Sequence, residues 1–198
     1  MQTQELITKK QEIREKIFAV RKKMSNNTIL AKSRFVIENL KLLEEYKSAK
    51  TIMCYISLDS EVNTWEFIKS KLADGKEIVV PYIDVNDVLS VSKLKSFDNL
   101  VVGKYGVLEP KNKLLYDEKI DLMILPGLAF DVNGSRIGFG KGYFDKFLSK
   151  HTKSVKVALA FEEQIIDFIP TTKYDVYMDV IVTDKRLIKS VCGAKCMN

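Results

Sequence analysis

Residues 51–83, "TIMCYISLDSEVNTWEFIKSKLADGKEIVVPYI", decide the fold. Two short runs rich in β-branched and aromatic residues, "TIMCYIS" and "EIVVPYI", flank a polar turn and one stretch of helical periodicity, which reads as β-α-β. Asn63 with Glu66 three residues on predicts a capping box at the helix start, and Gly75 predicts its stop. A further strand follows in "VLSVSKL". Beyond it, "KIDLMILP" has the unbroken apolarity of a strand buried on both faces, residues 142–150 read as a helix, and "SVKVALAF" and "YMDVIVTD" as two more strands. The expected fold is α/β, a single open, mostly parallel sheet covered by helices.

Upstream, Leu6, Ile13, Ile17, Val20 and Met24 recur at helical intervals, so residues 5–24 form an amphipathic helix. At about 100° per residue, Lys10, Arg14 and Arg21 fall along one edge of its apolar stripe. Ser25-Asn-Asn-Thr28 breaks the pattern and supplies cap residues for a second helix carrying Ile29, Val36, Leu40 and Leu43. The chain of 198 residues, 46% hydrophobic, is expected to make one domain over residues 1–198, with N-terminal helices at 5–46 and an α/β core at 51–187.

Residues 1–50 hold 12 Lys and Arg against six Asp and Glu, and so carry the whole net charge of +6. Such a segment attracts nucleic acid, a membrane or a small anion, or is solvated surface. No apolar run has the length of a membrane span and residues 1–20 lack a signal-peptide pattern, so a cytoplasmic protein without membrane partners is expected. The three cysteines, Cys54, Cys192 and Cys196, form neither a disulfide framework nor a metal-ligand spacing.

The segment 127–147, "GLAFDVNGSRIGFGKGYFDKF", concentrates Gly134, Gly138, Gly140 and Gly142 within nine residues, of nine glycines in the chain. Glycines leading from a strand into a helix start offer backbone N–H groups to an anion, and Arg136 and Lys141 add positive charge. The spacing is neither Walker A nor a dinucleotide fingerprint, and a merely flexible loop is the competing reading.

With its flanks, "LPGLAFDVNGSRIGFGKGYFDKFL" resembles the signature of the 5-formyltetrahydrofolate cyclo-ligase family. The similarity extends to "KKQEIR" (9–14), "YISLDSEVNT" (55–64), "YGVLEP" (105–110) and "YMDVIVTD" (177–184), in family order. The resemblance implies an ATP-dependent conversion of 5-formyltetrahydrofolate to 5,10-methenyltetrahydrofolate with release of ADP and phosphate. It implies Lys141 and Arg136 as catalytic residues, and ATP binding by Lys10, Arg14 and the loop Arg136, Ile137, Gly138, Phe139, Gly140, Lys141, Gly142, Tyr143 and Phe144. Folate contacts are implied for Ile56, Glu61, Phe139, Gly140, Lys141, Gly142 and Tyr143, and Mg2+ for Asp145 and Asp179. Arg136 is also readable as a solvent-facing turn residue, Asp145 as a first-turn helix acid, and Asp179 as a turn residue. Many relatives carry arginine where this chain has Phe139. A monomer is expected, with 5-formyltetrahydrofolate and ATP as partners and no nucleic acid. The architecture also resembles that of phosphosugar isomerases and coenzyme A transferases, whose chemistry needs no nucleotide, so nucleotide dependence separates these readings. A nucleic-acid binder would interleave aromatics with its basic face.

Overall fold

The structure, a computed structural model, describes residues 3–191; Cys192 and Cys196 lie outside them. Helices α1 (Thr3–Lys22), α2 (Asn26–Leu40) and α3 (Glu44–Ser48) precede strand β1 (Thr51–Cys54), and α4 (Trp65–Ala73) connects it to β2 (Glu77–Ile83). There follow β3 (Leu89–Lys93), β4 (Leu100–Val102), β5 (Leu108–Pro110), β6 (Leu122–Leu125), β7 (Ala129–Phe130), β8 (Arg136–Ile137), α5 (Tyr143–Leu148), β9 (Val155–Leu159), β10 (Val180–Val182) and β11 (Leu187–Lys189).

Seven strands form one sheet in the order β11-β10-β9-β6-β1-β2-β3. The inner strands from β10 to β2 pair in parallel, and the edges β3 and β11 pair antiparallel to them. The expected open, mostly parallel sheet is therefore present. Its central strands alternate between two cores, as the period of two in a strand requires. Ile52, Cys54, Ile78, Val80, Leu122 and Ile124 face the core that takes in Val36, Leu40 and Ile68 from α2 and α4. Met53, Val79, Met123, Leu125 and Ala158 face the other, which contains Phe147 and Leu148 of α5. Apolar on both faces, these strands read in sequence as continuous runs.

From β1 the chain moves to β2 on one side, whereas β6 lies on the other side of β1 and leads away to β9. The carboxyl ends of β1 and β6 thus flank a reversal of strand order, where open α/β sheets leave a crevice for ligands.

Local expectations were met unevenly. Ser25 caps α2 by accepting from Thr28 N at 3.1 Å. The capping box at Asn63 does not form: Asn63 Oδ1 accepts from Trp65 N, Asn63 N is held by Ser33 Oγ, and Glu66 pairs with Lys69. Helix α5 is six residues long rather than spanning 142–150. Two small antiparallel pairs, β4–β5 and β7–β8, were not anticipated. No helix among the described residues is long and apolar enough to cross a membrane.

Candidate active site

The first half of the glycine-rich segment is rigid. Its β7–β8 hairpin is fastened by the buried Asp131, whose Oδ1 accepts from Asn133 N and Ser135 N and whose Oδ2 accepts from Ile169 N. Only the stretch from Gly138 to Gly142 is an open loop. Gly140 and Gly142 there have φ of 97° and 68°, a region that admits side chains poorly. The N–H groups of Phe139, Gly140, Lys141 and Gly142 take no partner among the described residues. Four free donors on a fixed turn form an anion cradle of the nest type. With α5 so short, the cradle rests on these N–H groups more than on a helix dipole.

Arg136 leaves β8 into the interior, so its reading as a solvent-facing residue is incorrect: it is 6% exposed. Its Nη2 donates to both carboxylate oxygens of Asp145 at 3.2 Å, Nη1 donates to Pro126 O, and the guanidinium lies 5.4 Å from the ring centroid of Phe144. Nε has no partner. Arg136 therefore ties the loop to the end of β6 and to α5 from beneath, while lining the cavity.

Lys141 is exposed on the loop, 6.0 Å from the centroid of the Tyr105 ring, and pairs with no acid among the described residues. Lys10 and Arg14 reach the same loop from α1. Arg14 Nε donates to Gly138 O at 3.0 Å, and a Cβ on Gly140 would lie 3.5 Å from the Arg14 guanidinium carbon. Lys10 Nζ donates to both oxygens of Asp175, at 2.8 and 2.7 Å.

All of these face one cavity of about 550 Å³. Its apolar side is built by Tyr55 and Ile56 after β1, Pro81 to Ile83 at the end of β2, and Leu89 at the start of β3. Glu61 stands at its inner end. The turn from Leu58 to Glu61 closes on itself through Glu61 N to Leu58 O at 2.8 Å and Leu58 N to Glu61 Oε2 at 3.0 Å, and Oε1 makes no hydrogen bond. Burial pushes the Glu61 carboxyl above its ordinary pKa; the Leu58 N–H and the Arg21 charge pull it back down, and Asp59 adds to the rise. Arg21 is 2% exposed, donates to Ser60 O, Ser60 Oγ and Gly127 O, and has its own pKa lowered by burial.

The β4–β5 hairpin covers the mouth with Tyr105, and Glu109 lines the wall. Tyr105 Oη and Tyr143 Oη lie 3.0 Å apart, and Tyr143 Oη donates to Asp87. Phe139, 58% exposed, is at the rim. The loop residues expected from Arg136 to Phe144, together with Lys10, Arg14, Ile56, Glu61 and Asp145, all line this cavity.

Asp179 does not. It precedes β10, where its Oδ2 accepts from Lys156 N at 2.7 Å and lies 3.8 Å from Lys156 Nζ, holding the start of β9. Asp145 has both oxygens on Arg136 and also accepts from Val176 N. An octahedral magnesium ion needs oxygens converging on one point. The two aspartates expected to share it are committed to different partners, and no group of three His, Cys, Asp or Glu among the described residues is arranged to hold a metal. Asp145 lines the cavity and Asp179 does not, so the structure does not bring the two expected magnesium ligands together there.

Sequence reasoning gave no role to Tyr105, Glu109 and Asp175, and set Arg21 on the basic edge of α1 without assigning it one. The motif "YGVLEP" was the available signal for Tyr105 and Glu109; Asp175 carried none.

A cradle of free N–H groups beside an apolar slot that ends in a carboxylate, at the switch point of a parallel sheet, is the arrangement of an α/β enzyme site. Residues 6–184 match the 5-formyltetrahydrofolate cyclo-ligase family, and the chain belongs to it. It is 29% identical over 198 residues to the 5-formyltetrahydrofolate cyclo-ligase of Saccharomyces cerevisiae, covering 87% of this chain and 94% of the yeast protein. With that of Mus musculus it shares 30% over 152 residues, covering 70% and 75%. The solved structure of Aquifex aeolicus 5,10-methenyltetrahydrofolate synthetase superposes with a TM-score of 0.81 at 34% identity, covering 91% of this chain and 92% of that one.

Proposed function

We propose that this enzyme converts 5-formyltetrahydrofolate to 5,10-methenyltetrahydrofolate while cleaving ATP to ADP and phosphate. The observation that carries the reading is the meeting, in one cavity, of the Phe139–Gly142 cradle with its unpaired Lys141 and of Glu61 with a free carboxylate oxygen. The formyl oxygen attacks the γ-phosphorus and ADP departs, leaving an iminium phosphate. N10 then attacks the activated carbon, which closes the ring as N10 gives up its proton, and cleavage of the C–O bond expels phosphate and leaves the 5,10-methenyl product.

In this scheme the loop N–H groups and Lys141 neutralise charge on the transferring phosphoryl group. Arg136 holds the loop in place from below, and Lys10 and Arg14 bind the rest of the triphosphate. Glu61 accepts from the N–H donors of the pterin, while Ile56 and Tyr143 wall its faces and keep water from the activated formyl. Phe139 supplies an aromatic rim where an arginine would add charge, and Lys141 with Arg14 serves in its stead. Magnesium travels with the nucleotide; of the expected pair only Asp145 faces the cavity, and no step is assigned to a protein-held ion. The cavity is lined by the ends of one sheet and the elements packed on it, which supports a single-domain enzyme, and a monomer in the cytoplasm belongs to the same proposal.

The test is direct: protein, magnesium-ATP and 5-formyltetrahydrofolate should generate the methenyl absorbance, and omission of ATP should abolish it. Turnover without nucleotide would favour isomerase-type chemistry.

Lys10→Ala and Arg14→Ala should each weaken ATP binding by roughly tenfold, which removes about 1.4 kcal/mol of nucleotide-linked stability and about 3–6 °C of the ATP-induced rise in Tm. Lys22→Ala, on the far end of α1 where the ammonium sits 4.8 Å over the Phe18 ring, and Lys23→Ala should leave that rise unchanged. Equal ATP-induced shifts in the wild type and the Lys10/Arg14 double variant would make this face of α1 plain surface.

A further inference from the structure

Three segments meet over the mouth of the cavity. The β2–β3 turn brings Asp87, the tip of the β4–β5 hairpin brings Lys104 and Tyr105, and the end of the glycine-rich loop brings Tyr143. Tyr143 has a single hydroxyl proton, which goes to Asp87 Oδ1 at 2.8 Å. In the 3.0 Å contact between the phenols Tyr105 therefore donates and Tyr143 accepts. Lys104 donates to the same Oδ1 of Asp87. Because Lys104 and Tyr105 are neighbours in the chain, these bonds close a ring. Lys104, Tyr105 and Tyr143 line the cavity, whereas Asp87, which ties them together, does not.

The backbone is bent to make this ring. Among the described residues, Asp87 and Tyr105 are the two besides glycine with positive φ, 61° and 60°, a conformation unfavourable for a side chain as bulky as tyrosine. Asp84 sets the first of them: its Oδ1 accepts from Asn86 N and Val88 N, and its own N–H donates to Val88 O. The hairpin tip is exposed from Lys104 to Gly106, and its bonds to the rest of the chain, among the described residues, are those of the ring. Substrates and products pass this mouth, so the ring opens and re-forms in each turnover, and exposed ties are weak enough to allow it.

We infer that Asp87 is a positioning residue: through Tyr143 and Lys104 it holds the hairpin tip over the cavity and so keeps water from the activated formyl carbon. This rests on the function proposed above. The competing reaction defines the readout. If water attacks that carbon in place of N10, its oxygen becomes the formyl oxygen, the C–O bond to phosphate breaks, and both water protons pass to phosphate and solvent. 5-Formyltetrahydrofolate is regenerated, and ATP has been cleaved without ring closure.

The test is to follow ADP and the methenyl absorbance together in heavy-oxygen water, and then to analyse the recovered 5-formyltetrahydrofolate for the label. In the wild type ADP and methenyl product should form in step. Asp87→Gly removes the carboxylate at a position where glycine adopts the same φ freely, so the turn and thermal unfolding should be retained. Its folate-dependent excess of ADP over methenyl product should exceed that of the wild type by roughly fivefold, the scale on which an exposed ion pair biases an open–closed equilibrium, with label in the formyl group. Asp87→Asn keeps an acceptor for Tyr143 and should lie between the two, and Tyr105→Phe, which cuts the same ring without altering the β2–β3 turn, should also leak. Strict coupling with unlabelled folate in Tyr105→Phe or in a folded Asp87→Gly would overturn the inference, as would excess ADP that forms without folate or that carries the label into phosphate alone. Failure of the wild type to form the methenyl product would instead remove the cyclo-ligase reading itself.

Discussion

Lys141→Ala should lower kcat by roughly 10²-fold at saturating ATP and folate, the scale of losing one preorganised group aimed at developing charge. The ammonium is exposed, carries no acid partner and touches only the edge of the Tyr105 ring's reach at 6.0 Å, so its removal takes little from the fold. Circular dichroism and thermal unfolding of the variant should therefore match the wild type. Lys141→Arg should recover part of the rate, because charge is restored with a different geometry. The loop N–H groups remain in both variants, which is why residual turnover is expected rather than none. A well-folded Lys141→Ala enzyme with unchanged kcat would take the lysine out of the chemistry and leave the cradle as the whole of the phosphate site.

The parallel core was legible because its strands are buried twice over. Ile52 and Cys54 face one core and Met53 the other, so "TIMC" is buried at every position and has no competing reading as a surface strand. The β7–β8 and β4–β5 pairs left no such trace, since two- and three-residue strands show no periodicity, and the first of them is set by the bonds of Asp131 to residues as distant as Ile169. Lys10 and Arg14 could be placed on the inner edge of α1 from the helical wheel alone. Arg21 occupies the same edge in sequence, yet it meets Ser60 and Gly127 rather than the glycine-rich loop, and only the tertiary fold separates the three. Asp179 shows the converse failure. An acid at a strand start satisfies either a metal or a neighbouring backbone, and the neighbour here is Lys156, 23 residues earlier in the chain.

Glu61→Gln should lower kcat/KM for the folate by about 10²-fold, since a buried carboxylate facing N–H donors is replaced by a group that is neither charged nor wholly an acceptor. The pH dependence identifies the group responsible. Burial raises the Glu61 pKa, and only the ionised form accepts from two donors, so kcat/KM should climb with pH through this ionisation, on a limb lying above the range of an ordinary carboxylate. Folding stability moves the other way. A carboxyl whose pKa is higher in the folded protein than in the unfolded chain contributes stability that is complete below the unfolded value and is lost as pH rises through the folded one. Substrate binding should therefore strengthen over the interval in which this residue makes the free enzyme less stable, and Glu61→Gln should lack both trends. After burial and the Leu58 N–H, Arg21 contributes to where that interval falls. Its charge lowers the Glu61 pKa, so Arg21→Met should move the limb to higher pH, whereas Arg21→Lys, keeping a charge in the same pocket, should hold it closer to the wild-type position. An acid limb that persists unchanged in Glu61→Gln would assign the titration to another group, and a limb unmoved in a folded Arg21→Met variant would reduce Arg21 to a tie between the Ser60 turn and Gly127.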